Sequence, residues 1–111
     1  MPSFRIAAAA ALAAVLGFGA LSVALAQGPA VSAVNIDNFT FSPPTVTVAA
    51  GTTVKWTNDD DIPHTVRAVD GSFHSKAMDT ADSYSVTFTK PGVYSYFCSL
   101  HPKMVGKVVV K

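Results

Sequence analysis

The sequence predicts an all-β domain, a small Greek-key sandwich or barrel of about seven strands. Three observations support this prediction. Apolar and polar residues alternate in short runs, which is the pattern of half-buried strands. Clusters of Gly, Pro, Asn and Asp separate these runs at short intervals. After residue 30, no stretch keeps a helical periodicity over a useful length.

Three strands are predicted in the first half of the domain. Val31–Asp37 forms the first strand, which the turn-rich segment 38–44 interrupts. Valines alternate with threonines over residues 45–48 in the second strand. A Gly-Thr turn then leads to the third strand, which faces the core with Trp56 and ends at Asn58.

The second half is predicted to contain the remaining strands. His64–Val69 forms the fourth, and the long loop 70–82 that follows could hold a short helix. Apolar residues alternate over residues 84–88 in the fifth strand, and a Lys-Pro-Gly turn leads into the sixth. Gly106–Lys111 is predicted to close the sheet.

The N-terminal segment, residues 1–26, is predicted to be an export signal outside the fold. A positive charge at Arg5 precedes an uncharged, alanine-rich apolar run. Ala24–Ala26 then supplies the small-x-small pattern of a signal-peptidase site. Because the run is about 20 residues long, it could also span a bilayer, so an uncleaved membrane anchor is the alternative. The prediction is one periplasmic domain, residues 27–111.

Charge and cysteine content narrow the function. Residues 27–111 carry seven basic and seven acidic side chains, which argues against nucleic-acid binding because that needs a basic excess. The acidic run Asp59–Asp61 is predicted to be a solvated turn. The single cysteine, Cys98, has no partner for an internal disulfide, and a lone thiol in an oxidising compartment needs an occupant. A metal ion would occupy it.

The spacing of three sulfur and nitrogen donors indicates which metal. The sixth predicted strand ends at Cys98, and its alternation turns the thiol inward. His101 and Met104 follow at intervals of three residues, so a thiolate, an imidazole and a thioether lie on one short loop. His64, directly after Pro63, is the candidate for the fourth donor.

This donor set predicts one copper ion that exchanges single electrons. A thioether is a poor ligand for zinc but suits Cu(I), and two histidines and a cysteine with a weak axial methionine are typical of blue-copper sites. Four protein donors leave no position for water or a substrate. The sequence therefore predicts an electron carrier and not an enzyme.

The chain resembles the cupredoxins, the small blue copper proteins, over nearly all of residues 27–111. Four motifs carry the resemblance in the order in which that family has them: Phe39-x-Phe41-x-Pro43, Val46-Thr47-Val48-x-x-Gly51-Thr52-x-Val54-x-Trp56-x-Asn58, Pro63-His64 and the loop Cys98–Met104. The two residues between His101 and Met104 are similar to the short interval of amicyanins, whereas plastocyanins and pseudoazurins have a longer one.

The resemblance implies a role for each donor. His64, Cys98 and His101 would be the strong ligands and Met104 the axial ligand. In the family, the histidine of the ligand loop is exposed within an apolar patch and is the exit for the electron. Here that residue is His101, and the candidates for the patch around it are Ile62, Pro63, Leu100 and Pro102.

Two residues depart from the family pattern. Thr65 stands where many cupredoxins have the asparagine or serine that ties the two ligand segments together. Lys103 places a charge in the loop where amicyanins have an apolar residue. We expect Lys103 to favour an acidic rim on a redox partner, either a c-type cytochrome or a periplasmic dehydrogenase, that a monomer of this chain would meet.

Two alternatives stay open at this point. The same ligands could serve a periplasmic copper-binding or delivery protein, while a copper reductase or oxidase is disfavoured because only one further histidine is present. That histidine, His74, and Met78 could form a second, weaker copper site, although both are expected to be ordinary loop residues.

Overall fold

The computed structural model describes residues 30–111, which form two four-stranded sheets and confirm the all-β sandwich. In that range no helix is long and apolar enough to cross a membrane. The predicted export signal, residues 1–26, lies outside the described residues. The eight strands are β1 (Val31–Asp37), β2 (Thr40–Ser42), β3 (Thr45–Val48), β4 (Thr52–Asn58), β5 (Arg67–Ala68), β6 (Ser83–Phe88), β7 (Gly92–Cys98) and β8 (His101–Val110).

The strand order brings the ligand candidates to one end of the sandwich. The first sheet has the order β2-β1-β4-β6 and the second has the order β3-β8-β7-β5. β1 and β4 are parallel and end where the antiparallel β6 begins. β7 ends at Cys98, beside the start of the antiparallel β8 at His101. Hydrogen bonds from Asn58 to Ile62 and from Thr65 to Cys98 hold these ends of the two sheets together.

Aromatic side chains fill the space between the sheets. The ring of the fully buried Trp56 meets that of Tyr96 edge-on at 5.3 Å between centroids, and Phe41 meets Tyr96 at 4.8 Å. Burying a side chain the size of phenylalanine stabilises the fold by about 1.5–3 kcal/mol. The ring of Tyr96 packs directly against Gly106. A Cβ atom at position 106 would come within 2.4 Å of that ring, so the close packing needs glycine.

The predicted fourth strand over residues 64–69 is wrong in its first half. Only Arg67–Ala68 forms β5, and His64 makes an isolated bridge. The backbone here is engaged elsewhere, since the N–H of Thr65 donates to Cys98 Sγ at 3.3 Å. A backbone group that serves the thiol cannot also donate to a neighbouring strand, so the regular ladder starts later.

The short helix that the sequence allowed within residues 70–82 is absent. The backbone of this segment pairs instead with the segment that carries the first histidine. The N–H groups of Ser75 and Met78 donate to the carbonyl groups of Val66 and His64, both at 2.8 Å. The loop is therefore extended and closes the side of the ligand end.

Two strands differ in extent from the prediction. Segment 38–44, predicted as an interruption, contains β2 after a tight turn in which Asn38 and Phe39 have φ of 52° and 58°. The last strand begins at His101 instead of Gly106. The second histidine is consequently held by a strand and not by a free loop.

Candidate metal centre

The chain reversal between β7 and β8 places a cysteine opposite a histidine. Cys98 is fully buried, and the turn Ser99–Leu100 pairs it with the half-buried His101 across an irregularity in the ladder. Met104 lies three residues further along β8 and is buried in the same apolar cluster as Cys98. The spacing read from the sequence thus puts three donors on one hairpin.

The fourth donor comes from the connection between the sheets. His64 is fully buried, and its Nδ1 lies 3.7 Å from Cys98 Sγ. A metal ion about 2.3 Å from a thiolate and about 2.0 Å from an imidazole nitrogen, with about 120° between the bonds, would hold the two donors about 3.7 Å apart. The separation of His64 and Cys98 therefore fits a shared metal ion.

His101, the second predicted histidine ligand, lies near His64. The rings of His101 and His64 have centroids 5.1 Å apart. Within residues 30–111, no group of three or more His, Cys, Asp and Glu side chains is close enough to hold a metal ion. The structure thus brings His64 and Cys98 to ligand distance and His101 next to them, while Met104 is buried in the core cluster that includes Cys98.

Hydrogen bonds prepare the thiol of Cys98 for a metal. Burial raises the pKa of this thiol, but hydrogen bonds, that of the Thr65 N–H foremost, outweigh burial and leave the pKa below its ordinary value. A lowered pKa favours the thiolate, which is the form that binds metal ions.

Thr65 joins the two ligand-bearing segments. Its Oγ1 accepts a hydrogen bond from the Ser99 N–H at 2.7 Å and lies 2.7 Å from Ser99 Oγ. The hydroxyl also lies 3.8 Å from Cys98 Sγ. A threonine therefore links the segments at the position where many cupredoxins have asparagine or serine.

One functional residue was missed by the sequence analysis. Asp60, expected in a solvated turn, has its Oδ2 2.8 Å from His64 Nε2 and accepts the Phe39 N–H at 3.0 Å. The Phe39 N–H, followed by the hydrogen bond with His64, holds the pKa of the Asp60 carboxyl below its ordinary value. The only sequence signal is its place four residues before a histidine, which is weak.

Phe39 lies over both histidine rings. Its ring meets that of His64 edge-on at 5.5 Å and that of His101 at 4.9 Å, and half of its surface is exposed. The left-handed backbone of a phenylalanine costs about 1–2 kcal/mol, so the surrounding contacts must hold it there. With the half-exposed Leu100 and the exposed Pro102, it forms a patch around His101, which we call the exit patch.

His74 and Met78, two soft donors outside the candidate centre, lie in different environments. His74 is exposed and Met78 is buried in the core, and both line a surface cavity with Asp82 and Tyr84. Nothing in this arrangement changes the expectation that they are ordinary structural residues.

Comparison with known proteins gives a consistent result. The family of copper binding proteins of the plastocyanin/azurin type matches residues 29–111. The chain is 40% identical over 116 residues to amicyanin-alpha of Methylorubrum extorquens, covering 96% of this chain and 98% of that protein. It is 39% identical over 95 residues to amicyanin of Paracoccus versutus, covering 80% and 72%.

Solved structures share the fold. A purple cupredoxin from Nitrosopumilus maritimus superposes with a TM-score of 0.68 at 36% identity, covering 72% of this chain and 99% of that one. An oxidized amicyanin mutant superposes with a TM-score of 0.70 at 34% identity, covering 79% and 89%. The fold of this chain is thus shared by cupredoxins of known structure.

Proposed function

We propose a specific role for this chain on the premise that it belongs to the plastocyanin/azurin family of copper-binding proteins. It is a cupredoxin of the amicyanin type, a blue copper electron-transfer protein with a single type 1 copper. The proposal is that it works in the periplasm and passes electrons between redox partners. His64, Cys98, His101 and Met104 are proposed as the copper ligands.

The observation that carries the ligand assignment is the distance between His64 Nδ1 and Cys98 Sγ, 3.7 Å, at a thiol whose pKa is lowered. Copper, when bound, supplies a one-electron couple. The chain supplies a buried thiol, a fixed imidazole and a buried thioether, and it keeps water from three of the four donors. His101 is only half-buried and gives the site its contact with the surface.

The same donors support a carrier over an enzyme. Four protein ligands fill the coordination positions of a type 1 site, so a substrate would have to displace one of them. The chain has three histidines in all, which leaves only His74 for any further metal. We propose that the isolated domain catalyses no reaction.

The export signal predicted over residues 1–26 and the single cysteine support a periplasmic location. A bound metal would protect that thiol from oxidation there. Whether the N-terminal segment is removed or anchors the protein can be tested by the mass of the mature chain from a membrane-free periplasmic extract.

The distribution of charge suggests what partner would meet the exit patch. Most acidic residues lie at the metal end of the sandwich: Asp37, Asp59, Asp60, Asp61, Asp79 and Asp82. Lys90 and Lys111 follow the ends of β6 and β8 at the opposite end. The carboxylate of Asp60 contacts the backbone of Phe39, so negative charge borders the exit patch.

This placement changes the expectation that was based on Lys103 alone. We propose a redox partner with a basic rim around an apolar contact, such as a c-type cytochrome or a periplasmic dehydrogenase of that surface charge. Complementary charge would mainly raise the association rate, since carrier complexes are small and transient.

The visible spectrum of the copper-loaded protein tests the proposed function. An intense blue band at one equivalent of copper, lost on reduction and restored on reoxidation, is the expected result. A colourless protein that binds only Cu(I) would instead favour copper delivery and would contradict the carrier role.

A further inference from the structure

We propose that Asp60 is a positioning residue that orients His64 toward copper, holds Phe39 over both histidines, and lowers the reduction potential of the centre. This inference rests on the proposed function, because it takes His64 as a ligand. It concerns a carboxylate that lies outside the ligand set.

The hydrogen bond with Asp60 determines the tautomer of His64. Its Nε2 lies 2.8 Å from Asp60 Oδ2, and a carboxylate can only accept, so the ring proton resides on Nε2. Nδ1 then keeps its lone pair and faces Cys98 Sγ at 3.7 Å. Because the ring is fully buried, water cannot compete for Nε2, and the carboxylate is its hydrogen-bond partner.

Phe39 is held by the same carboxylate. The same carboxylate oxygen accepts the Phe39 N–H at 3.0 Å, and the ring of that residue lies 5.5 Å from His64 and 4.9 Å from His101. One oxygen atom therefore contacts both Nε2 of His64 and the N–H of Phe39. The ring of Phe39 in turn contacts both imidazoles. Loss of this oxygen would release two contacts at once.

Asp60 is itself held in place by hydrogen bonds. Its N–H donates to Asn58 Oδ1 at 2.9 Å, and its carbonyl oxygen accepts the hydroxyl of Thr80 at 2.6 Å. Asn58 in turn donates to the carbonyl groups of Ile62 and Met78, both at 2.9 Å. The backbone of Asp60 is thus fixed by Asn58 and Thr80, and Asn58 also holds the segment that leads to His64.

The consequence is electrostatic as well as geometric. The Asp60 carboxyl carries a negative charge at neutral pH, as aspartates ordinarily do, and the hydrogen bonds from the Phe39 N–H and with His64 lower its pKa further. A carboxylate on the far nitrogen raises the basicity of a histidine ligand, and loss of such a partner typically weakens metal binding by about 10- to 100-fold. The more basic ligand and the extra negative charge both favour Cu(II), so they lower the reduction potential.

Voltammetry on three copper-loaded variants tests the inference. Asp60→Asn keeps the size and one acceptor oxygen but removes the charge, and we expect a higher potential and Cu(II) affinity lower by about 10-fold or more. Asp60→Glu keeps the charge and should recover part of the wild-type potential. Asp61→Asn is the matched control, since it removes the same charge one residue away from an exposed side chain.

A second readout separates positioning from charge. In the reduced protein, which is diamagnetic, the Nε2 proton of His64 should give an NMR signal that exchanges slowly with water. Asp60→Ala should speed this exchange, whereas Asp61→Asn should leave it unchanged.

Equal shifts of the potential in Asp60→Asn and Asp61→Asn, or an exchange rate unchanged in Asp60→Ala, would overturn the inference. The blue band of the wild-type protein reports on the proposed function independently of these variants. If the wild-type protein is blue but its reduction potential equals that of the Asp60 variants, the inference is rejected and the proposed function stands.

Discussion

At the metal end of the sandwich, buried polar side chains have hydrogen-bond partners, as Asn58, Thr65 and Ser75 show. In the adjacent core, by contrast, Trp56 Nε1 and Tyr96 Oη have no partner among the described residues. The two regions are adjacent but are built differently. Directional bonds fix the metal end, while shape and volume fix the core. A small polar change should therefore alter the spectrum at the metal end, and a similar change in the core should alter only stability.

The largest effect is expected from Cys98→Ser. The serine hydroxyl cannot replace a thiolate as a soft ligand, so the blue band should vanish completely. The fold should survive with a loss of about 1–3 kcal/mol in the free energy of unfolding, the cost of an unsatisfied buried group. Absorption and denaturant unfolding measure the two effects. Blue colour in the variant would show that the thiol is not a ligand.

Alkaline pH should act on the core through Tyr96. Burial raises the pKa of this tyrosine to about 12 from 10.0. Above pH 10 the unfolded chain loses the phenolic proton while the folded protein keeps it. Stability should therefore fall as pH rises from 10 to 12, by at most about 1.4 kcal/mol for each pH unit.

Tyr96→Phe is the control for that experiment. It removes the titrating group and an unpartnered hydroxyl, so the alkaline loss of stability should shrink and the protein at neutral pH should be no less stable than the wild type. A variant that loses stability at neutral pH would indicate that the Tyr96 hydroxyl has a partner.

A smaller effect is expected from Thr65→Val at the metal end. The substitution leaves the Ser99 N–H without its acceptor, which should cost about 1–3 kcal/mol and shift the blue band. Thr47→Val, an exposed position on β3, is the matched control and should change stability by no more than about 0.5 kcal/mol. Equal behaviour of the two variants would mean that Thr65 does not tie the ligand segments together.

The smallest effect concerns the surface of the metal end. A cationic redox complex should exchange electrons with the protein faster than an anionic complex of equal driving force, because most acidic residues border this end. Asp61→Lys should narrow the difference at low salt, and high salt should remove it through screening. Faster exchange with the anionic complex would place the exit at a basic surface instead.

The fold and the donors of the hairpin could be predicted because their signals are local. Cys98 closes an alternating strand, and His101 follows by a fixed short interval, so chain direction alone brings them together. The alternation around Trp56 likewise required no knowledge of its neighbours. The number of strands depends on pairing between distant segments: about seven were predicted, and residues 30–111 form eight.

The features that could not be predicted from the sequence depend on contacts between distant turns. The hydrogen bond between Asp60 and Phe39 needs the left-handed backbone of Phe39, which presents its N–H to the carboxylate. Phenylalanine rarely adopts that conformation, so no pattern predicts it. The strand predicted from His64 failed for a similar reason, because a thiol 33 residues away takes the Thr65 N–H.

X-ray absorption at the copper edge tests the central claim most directly, since it reports the atoms bound to the metal. The protein loaded with one equivalent of copper should show one thiolate sulfur and two imidazole nitrogens, and His64→Ala should reduce the nitrogens to one. A copper shell made only of nitrogen and oxygen, or one unchanged in His64→Ala, would contradict the assignment of His64 and Cys98 as ligands.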